Sequence, residues 1–398
     1  MRIAYVCADR GVPVFGRKGS SVHVQEVVRA LRRQGHEVKV FASRIGGEAP
    51  PGLEDVEVRE LPKIPKGDPS ARERASLDAN RKLYATLDSE GPFDVVYERY
   101  SLWSFAGMEY AADEDIPGLL EVNSPLIEEQ ALHRELTDRV GAVRVSEHAF
   151  GKATALLPVS SEVAGYLRGW PMARGRIHTT PNGVDAGRFP ENLAPSLPDP
   201  AFTVGFVGTL KPWHGLPALV EAFELLHKEE PNVRLLIVGD GPGREEMEES
   251  LAERGLSGAS HFTGAVGPEE VPGLLASMNA AVAPYPMQSQ FYFSPLKVYE
   301  YMAAGLPVVA SRIGQLDGLI SDGEDGILTS PGSPIAIAEA LGHLRRDAPL
   351  RSRLGNNARE KVMKDHTWDA VAGRVLGLAG VGLAGVGLAA GRSVEARV

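Results

Sequence analysis

The sequence predicts an α/β protein made of two Rossmann-like domains, each with a doubly wound parallel sheet. Three observations support this prediction. The chain has 398 residues, which is more than one ordinary hydrophobic core supports. Short apolar runs alternate with amphipathic stretches, which is the rhythm of βαβ units. The rhythm starts again after the proline-rich connector Phe189–Phe202, so we expect a cleft between two sheets.

The first half of the chain contains four strand-like segments with helical stretches between them. Apolar residues recur at helical spacing from Val24 to Leu31, which predicts an amphipathic helix that ends at Gly35. Another helix is predicted from Trp103 to Ala112. The four strands are predicted in RIAYVCA, HEVKVFAS, FDVVYERY and PGLLEVN.

The second half repeats the pattern with more apolar strands. Nearly continuous Val, Leu, Ile and Ala are typical of strands that are buried on both faces. We assign residues 1–188 to the first domain, 189–365 to the second, 366–376 to a C-terminal helix, and 377–398 to a poorly ordered tail rich in Gly, Ala, Leu and Val. The predicted strands are TVGFVGTL, VRLLIVGDG, AAVAPY and LPVVAS, and LPALVEAFELLHKE is a predicted helix.

Composition restricts the partners that we expect. The net charge of −10 disfavours nucleic acid as a partner. The single cysteine, Cys7, lies in an apolar run and is interpreted as a core residue. The N-terminus lacks the pattern of a signal peptide, so we expect a cytoplasmic protein. The apolar segment Val375–Gly391 is shorter than the usual span of about 20 residues, so membrane contact is expected to be peripheral at most.

The segment from Ser294 to Ser311 places a cation where a helix usually favours an anion. Ser294 is predicted to cap the helix, with Pro295 at its first position and Gly305 at its end. Lys297 then lies in the first turn, where the helix dipole already provides about half a positive charge. Glu300 follows one turn later on the same face. This arrangement predicts a bound anion at the start of the helix.

Six motifs, in the expected order, resemble the retaining glycosyltransferases of family 4, which have the GT-B fold. The motifs are TTPNGVD, GFVGTLKPWHG, IVGDGPG, HFTGAV, SPLKVYEYMAAGLPVVAS and DGEDGILTSPG, preceded by KGSSVHV and GHEV near the N-terminus. The resemblance implies a nucleoside-diphosphate sugar as donor, namely a UDP- or GDP-sugar, and a hydroxyl acceptor on a sugar, a lipid-linked molecule or a small metabolite. It also implies hexosyl transfer without a metal or cofactor, an acceptor-side first domain, and a C-terminal helix that crosses back onto that domain.

The resemblance implies specific contacts to the donor in the second domain. The amides around Ser294, Leu296 and Lys297 would hold the diphosphate, with Lys297 neutralising the leaving group. Glu300 would bind the ribose hydroxyls. The family has another glutamate eight residues earlier, where this sequence has Tyr292, followed by Phe293. Either Tyr292 and Tyr285 replace that glutamate or backbone amides hold the sugar.

Two further donor-side loops depart from the family pattern. Thr209 and His214 stand where the family commonly has an arginine and a lysine on the diphosphate. We therefore assign phosphate binding to Lys211, and His214 is either a partly protonated donor or a structural turn residue. In the first domain, Gly19 matches the second glycine of the Gly-Gly loop, whereas Lys18 replaces the first.

The acceptor side also departs from the family pattern. The family often has an active-site histidine at the end of the strand PGLLEVN, where this sequence has Asn123. Glu121 either orients the acceptor or is structural, and His23 is interpreted as a packing residue. The loops that match those receiving the nucleotide base contain Gly239, Gly241, Gly264 and Val266.

Other functions explain the sequence less well. A Rossmann dehydrogenase would need a Gly-x-Gly-x-x-Gly loop, which the stretch GVPVFGRKGSS lacks. The Asp-x-Asp sequence at Asp113–Asp115 has the form of a metal-binding motif but is interpreted as a solvated connector. A GT-B sugar-nucleotide epimerase and a catalytically weakened binding or assembly protein remain as alternatives.

Overall fold

A computed structural model describes residues 1–65, 67–288, 291–292 and 294–380. The first domain alternates strands and helices from its first residues onward. In chain order its elements are β1 (Arg2–Cys7), α1 (Gly19–Arg33), β2 (Glu37–Ala42), β3 (Val58–Glu60), α2 (Pro69–Glu90), β4 (Val95–Arg99), α3 (Ala106–Asp113), β5 (Gly118–Val122), α4 (Leu126–His133), α5 (Arg139–Lys152), β6 (Ala155–Pro158) and α6 (Ser161–Arg168).

The second domain follows the connector with the same alternation. Its elements are β7 (Phe202–Val207), α7 (Leu216–Glu229), β8 (Val233–Val238), α8 (Arg244–Glu253), β9 (Ser260–Gly264), α9 (Val271–Leu275), β10 (Ala280–Ala283), α10 (Leu296–Ala303), β11 (Val308–Ser311), α11 (Gln315–Leu319), β12 (Ile327–Thr329), α12 (Pro334–Arg346) and α13 (Ala348–Asp365). A last helix, α14 (Trp368–Leu378), ends the described chain.

Each domain contains a six-stranded parallel sheet. The strand order is β3-β2-β1-β4-β5-β6 in the first sheet and β12-β11-β10-β7-β8-β9 in the second. Chain order reverses beside β1 in the first sheet and beside β7 in the second, and ligands bind at such switch points in open parallel sheets. The predicted pair of Rossmann-like domains is confirmed.

Apolar strands form the centre of both domains because both faces of each sheet are covered by helices. All of β7 is buried, and Cys7 at the end of β1 is fully buried, as predicted from its apolar surroundings. Helix α14 leaves the second domain and packs into the core of the first. Its residues Trp368, Val371 and Val375 belong to the same apolar cluster as Ile3 and Tyr5 of β1.

Polar contacts also join the two domains. The Ser160 hydroxyl donates a hydrogen bond to the Tyr292 carbonyl at 2.6 Å, and Asn182 Nδ2 donates one to the Ser294 carbonyl at 2.7 Å. The backbone amide of Val184 bonds to the carbonyl of His366 at 2.9 Å. These bonds bring the ends of the two sheets together around the segment that leads into α10.

The start of α10 differs from the prediction. The helix begins at Leu296 rather than at Pro295, and no side chain caps it. Ser294 is not the cap, because its hydroxyl accepts a hydrogen bond from the amide of Asn182 at 3.2 Å. The predicted C-terminal signal is correct, since Gly305 has a positive φ of 72° directly after the helix.

The C-terminal tail lies mostly outside the described residues, so its predicted disorder stays a prediction. Within the part of the chain that is described, no helix combines the length and the apolar character needed to cross a bilayer.

Candidate functional site

A cleft between the two domains contains the start of α10. Its cavity has a volume of about 720 Å³ and is lined by residues of both domains. Most of the residues predicted to bind the donor lie on its wall. These are Lys18 and Gly19 of the first domain and Thr209, His214, Val266, Ser294, Leu296, Lys297 and Glu300 of the second. Asn123, predicted for the acceptor side, also lines the cavity.

Lys297 is the most unusual residue of this cleft. Its ammonium nitrogen is buried, and it has no hydrogen-bond partner among the described residues. It lies 4.0 Å from the centre of the Phe206 ring, and a Cβ built on Gly208 would lie 2.9 Å from it. A buried cation without a partner is costly, which points to a ligand that supplies the missing negative charge.

Burial lowers the pKa of Lys297 to about 7, although Glu300 favours its charged form. Removing water from an ammonium group disfavours the charged state. A nearby anion would reverse this effect. The Lys297 nitrogen is therefore only partly protonated near pH 7 when no anion is beside it, and it is fully protonated beside a phosphate.

Gly208 permits this arrangement. It directly follows β7 and has a φ of 139°, which residues with a side chain rarely adopt. With no side chain, it leaves room for the Lys297 ammonium against the end of the strand. The glycine in the motif GFVGTLKPWHG is thus explained by close packing with a residue about ninety positions later.

The N-termini of two helices face each other across the cleft. Helix α1 begins at Gly19 without a side-chain cap, and α10 begins at Leu296 without one. A Cβ built on Gly19 would lie 3.8 Å from Leu296 Cδ1. Because the first amides of a helix lack partners within it, both helix starts present hydrogen-bond donors and positive dipole ends. This geometry suits an anion that carries more than one charge.

Glu300 lies on the same face of α10 as Lys297 and lines the cleft. Its Oε1 accepts a hydrogen bond from Arg188 Nη1 at 2.9 Å. Burial raises the pKa of Glu300, and the Arg188 guanidinium opposes that change. Arg188 also donates to the Pro268 carbonyl at 2.6 Å, so the carboxylate is held in one orientation. Sequence reasoning missed Arg188 because it lies 112 residues before its partner.

His214 adopts the structural alternative. Its Nδ1 lies 2.6 Å from the Thr209 carbonyl and must donate a hydrogen bond to it. Burial, followed by the nearby Lys297, lowers the pKa of His214 to about 3, so the imidazole is neutral. With no anion beside it, His214 therefore matches the structural alternative.

Lys211 is not among the residues that line the cleft. Its ammonium lies 5.6 Å from the centre of the Trp213 ring instead. The phosphate contact predicted for Lys211 is therefore not present in this conformation. Of the two lysines in the predicted donor loops, Lys297 is the one at the cleft wall.

Glu121 is the centre of a buried network rather than an acceptor contact. It is 3% exposed, and its two oxygens accept hydrogen bonds from His23 at 2.7 Å, Arg99 at 2.9 Å and Asn123 at 2.5 Å, and from Tyr97. Burial alone would raise the pKa of Glu121, but His23 and Arg99 hold it well below its usual range. Of the two alternatives for Glu121, this network supports the structural one.

The side chains that Glu121 holds do line the cleft, namely His23, Arg99 and Asn123. His23 comes from α1 and also contacts the Trp368 ring of α14, with ring centres 5.0 Å apart. A histidine from α1 thus shares a hydrogen-bond partner with Asn123, the residue that follows β5 by one position. Its interpretation as a packing residue is incomplete, because it joins a polar network at the cleft wall.

Tyr292 has a different role from the one predicted. Its hydroxyl donates a hydrogen bond to Glu129 Oε2 of α4 at 3.1 Å. The residue is not on the cleft wall, whereas Tyr285, its predicted partner, is. Tyr292 therefore joins the second domain to the first, which leaves Tyr285 as the tyrosine of this pair at the cleft. Phe293 lies outside the described residues.

Three of the four residues in the predicted base-binding loops do not line the cleft. Gly239 and Gly241 have positive φ values of 137° and 157°, and a Cβ on either would collide with the backbone of Gly208 or Leu210. The carbonyl of Gly264 accepts a hydrogen bond from the amide of Gly239 at 3.0 Å. These glycines hold the strand ends together, and Val266 alone of the four lines the cavity.

Asp113 of the Asp-x-Asp sequence lies at the end of α3. Its carboxylate accepts a hydrogen bond from the Tyr84 hydroxyl at 3.2 Å and forms an ion pair with Lys152. In the described ranges, no group of three or more His, Cys, Asp or Glu side chains is arranged to hold a metal ion.

Two protein-family models match consecutive parts of the chain. The model for Glycosyltransferase Family 4 matches residues 17–188, and the model for Glycosyl transferases group 1 matches residues 201–347. The boundary between the matches falls in the connector between the two sheets.

Several characterised proteins are similar over nearly their whole length. A D-inositol 3-phosphate glycosyltransferase from Xylanimonas cellulosilytica is 29% identical over 387 residues, covering 90% of each chain. An MMP alpha-(1->4)-mannosyltransferase from Mycolicibacterium hassiacum is 26% identical and covers 90% of this chain and 93% of its own.

Solved structures share the fold. Sucrose-phosphate synthase from Thermosynechococcus elongatus has a TM-score of 0.71 at 22% identity, covering 95% of this chain and 98% of its own. Anabaena HepE in complex with UDP has a TM-score of 0.72 at 19% identity, covering 95% of this chain and 99% of its own.

Proposed function

The chain is a glycosyltransferase of family 4 with the GT-B fold, and from this we propose that it transfers a hexose from a nucleoside-diphosphate sugar to a hydroxyl acceptor with retention of configuration and without a metal. The observation that carries the proposal is the buried ammonium of Lys297 at the cleft wall, which has no partner among the described residues. The diphosphate is the anion that the start of α10 is built to receive.

The donor diphosphate lies between the two helix starts in this proposal. Lys297 and the first amides of α10 bind it from the second domain, and the start of α1 at Gly19 approaches from the first. Fixed dipoles and a cation in a site that excludes water stabilise the charge that grows on a leaving group. The protein's own groups thus supply the positive charge that a metal ion provides in other transferases.

The nucleoside lies further along α10. Glu300 accepts hydrogen bonds from two neighbouring ribose hydroxyls through its free oxygen lone pairs, while Arg188 keeps the carboxylate oriented. Val266 lies on the same side of the cleft and packs against the base. UDP is the preferred nucleotide because the structurally similar HepE was solved with UDP.

The transfer itself needs one leaving group and one nucleophile on the same face of the sugar. The bond between sugar C1 and the phosphate oxygen breaks, and the electron pair stays with the nucleoside diphosphate. The acceptor oxygen bonds to C1, and its proton passes to the departing phosphate. Lys297 stabilises the leaving group, and the network of His23, Arg99 and Asn123 lines the opposite, acceptor side of the cleft.

The proposal is tested by incubating the full chain with UDP- and GDP-hexoses and a panel of polyol acceptors. We expect release of nucleoside diphosphate that persists in EDTA, and a product whose anomeric proton coupling matches that of the donor. A product of inverted configuration, or complete dependence on a divalent ion, would contradict the mechanism. A free epimerised sugar in place of a glycoside would favour the epimerase alternative.

A further inference from the structure

A second cavity of about 440 Å³ opens off the cleft within the first domain. Asp9, Gly11, Leu126 and Arg134 line both cavities, so the two are continuous. Its remaining wall is built from residues that follow β1, β2, β3 and β4, together with one face of α2. It therefore lies at the carboxyl edge of the first sheet, where ligands bind in such folds. We refer to it as the side chamber.

Three arginines line the side chamber, namely Arg10, Arg72 and Arg134. Within the part of the chain that the structure describes, none of the three forms an ion pair with a carboxylate, and none donates a side-chain hydrogen bond. By contrast, Arg29 and Arg32 of the same domain are paired with Glu26 and Asp55. The protein as a whole carries a net charge of −10. Three arginines without ion-pair partners along one chamber therefore differ from the acidic character of the rest of the protein.

The two acidic side chains of the chamber, Asp9 and Glu73, do not form ion pairs with these arginines. Both oxygens of Glu73 accept backbone amides, from Thr137 and Asp138, each at 2.9 Å. Asp9 bonds to the amide of Gly11 at 2.7 Å. The carboxylates therefore shape the chamber wall, while the guanidinium groups keep their hydrogen-bond donors available.

The neutral polar groups of the chamber are engaged as well. The amide of Asn80 donates to the carbonyls of Leu77 and Trp103 and accepts the amides of Phe105 and Ala106. The Ser104 hydroxyl donates to Glu98 at 2.5 Å. The donors left for a ligand are thus mainly guanidinium groups, which match the geometry of phosphate and carboxylate oxygens.

From these observations we propose that the acceptor is an anionic polyol, whose phosphate or carboxylate group binds Arg10, Arg72 and Arg134 in the side chamber. This inference rests on the proposed function, since it names the acceptor class for the same cleft. Arg134 lies where the chamber joins the cleft, so an acceptor anchored there extends its hydroxyl toward Asn123 and the donor. A neutral acceptor would leave these arginines to water, since Arg134 is exposed and Arg10 and Arg72 are half-buried.

The inference is tested by calorimetry on the full chain saturated with UDP, which occupies the proposed diphosphate site at the start of α10. Matched pairs of probes are titrated: myo-inositol 1-phosphate against myo-inositol, and glucose 6-phosphate and glucuronate against glucose. At least one anionic probe is expected to bind about tenfold or more tightly than its neutral counterpart, because charged hydrogen bonds are stronger than neutral ones. Raising NaCl from about 50 to 300 mM should reduce this preference by screening.

The variants Arg72→Gln and Arg134→Gln are each expected to weaken binding of the anionic probe about five- to tenfold, with binding of UDP unchanged. Arg81→Gln is the matched control, because Arg81 is exposed on the same helix as Arg72 and does not line the chamber. Sedimentation with phosphatidylinositol vesicles separates the two sources of phosphate. If the protein binds the vesicles and the double variant Arg72→Gln/Arg134→Gln does not, the anion is a lipid headgroup. If the protein binds only the soluble probe, the anion belongs to a metabolite.

Equal or undetectable binding of every anionic and neutral pair would overturn the inference, as would a preference that survives in the double variant. Failure of the chain to bind UDP would instead contradict the proposed function. In that case the comparison of anionic with neutral probes, repeated without UDP, still decides the inference, because it depends on Arg72 and Arg134 rather than on Lys297.

Discussion

Binding of the donor should take up a proton at Lys297. Burial lowers the pKa of Lys297 to about 7 in the empty cleft, and a diphosphate beside the ammonium raises it again. The protonated form therefore binds better. As far as Lys297 determines it, affinity for UDP should be constant below pH 7. Above pH 7 it should fall about tenfold for each pH unit, until the pH reaches the pKa of Lys297 in the complex with UDP.

The magnitude follows from the pKa of the free protein. At pH 8, a group with a pKa of about 7 is about 90% deprotonated, so full protonation in the complex takes up about 0.9 proton per UDP. Isothermal titration calorimetry measures this number from the observed enthalpy in Tris and HEPES buffers of different ionisation enthalpy. The phosphates of UDP are fully ionised at this pH and add little to the value.

The variant Lys297→Met tests the assignment of the proton. It keeps most of the length of the side chain but removes the charge, so proton uptake at pH 8 should disappear and UDP should bind at least about tenfold more weakly. His214 contributes little at this pH because its pKa is lowered to about 3. Lys228→Met, on an exposed part of α7, is the control. Undiminished uptake in Lys297→Met, or none in the unmodified protein, would refute the reasoning.

The remaining predictions separate the other residues of the cleft. Glu300→Gln should weaken UDP binding about tenfold or more but leave pyrophosphate binding within about twofold, because Glu300 is assigned to ribose; equal losses for both would remove that assignment. Glu121→Gln should lower the free energy of unfolding by about 2–4 kcal/mol, measured in urea, because it leaves the buried Arg99 without a counter-charge. It should also reduce kcat more than the affinity for UDP; a change in affinity alone would exclude a positioning role. Lys211→Ala should change UDP affinity by less than about threefold, as judged by calorimetry, and a larger loss would restore its predicted contact with phosphate.

The central strands of both sheets could be predicted from the sequence, whereas the strands at the edges could not. All eight predicted strands are present and lie inside the two sheets. The four that were missed, β3, β6, β9 and β12, are the edge strands, three to five residues long. Strands β3 and β9 consist mostly of exposed or half-buried residues, and β6 and β12 are largely apolar but only four and three residues long. None of the four therefore provides the long apolar run that identifies a central strand.

The donor side of the cleft was more predictable than the acceptor side. The anion-binding site at the start of α10 was predicted from a local signal, a lysine in the first turn of a helix. Lys297 and Glu300 do line the cleft. In the network around Glu121, the partners Arg99 and His23 lie 22 and 98 positions away in the sequence. Such contacts depend on how strands and helices are placed in space, which periodicity and local motifs do not specify.

Compared with the family pattern, this chain has fewer cations on the donor loop of the second domain and more on the first domain. Thr209 and His214 carry no charge on the loop after β7, where the family commonly has two cations, and His214 is neutral because of its lowered pKa. Lys18 stands where the family has a glycine, and Arg17 precedes it; both line the cleft from the first domain. Under the proposed function, part of the charge on the diphosphate is therefore neutralised across the cleft.

This redistribution links catalysis to the approach of the two domains. A donor held by the second domain alone meets Lys297 and the start of α10. Lys18 and Arg17 reach it only when α1 lies close to α10, as it does here, where Leu296 packs against the core of the first domain. Charge on the diphosphate grows as the glycosidic bond breaks, so cations that arrive with closure stabilise the transition state more than the initial complex. The loss of two cations from the donor loop is thus compatible with activity, provided that the domains close before transfer.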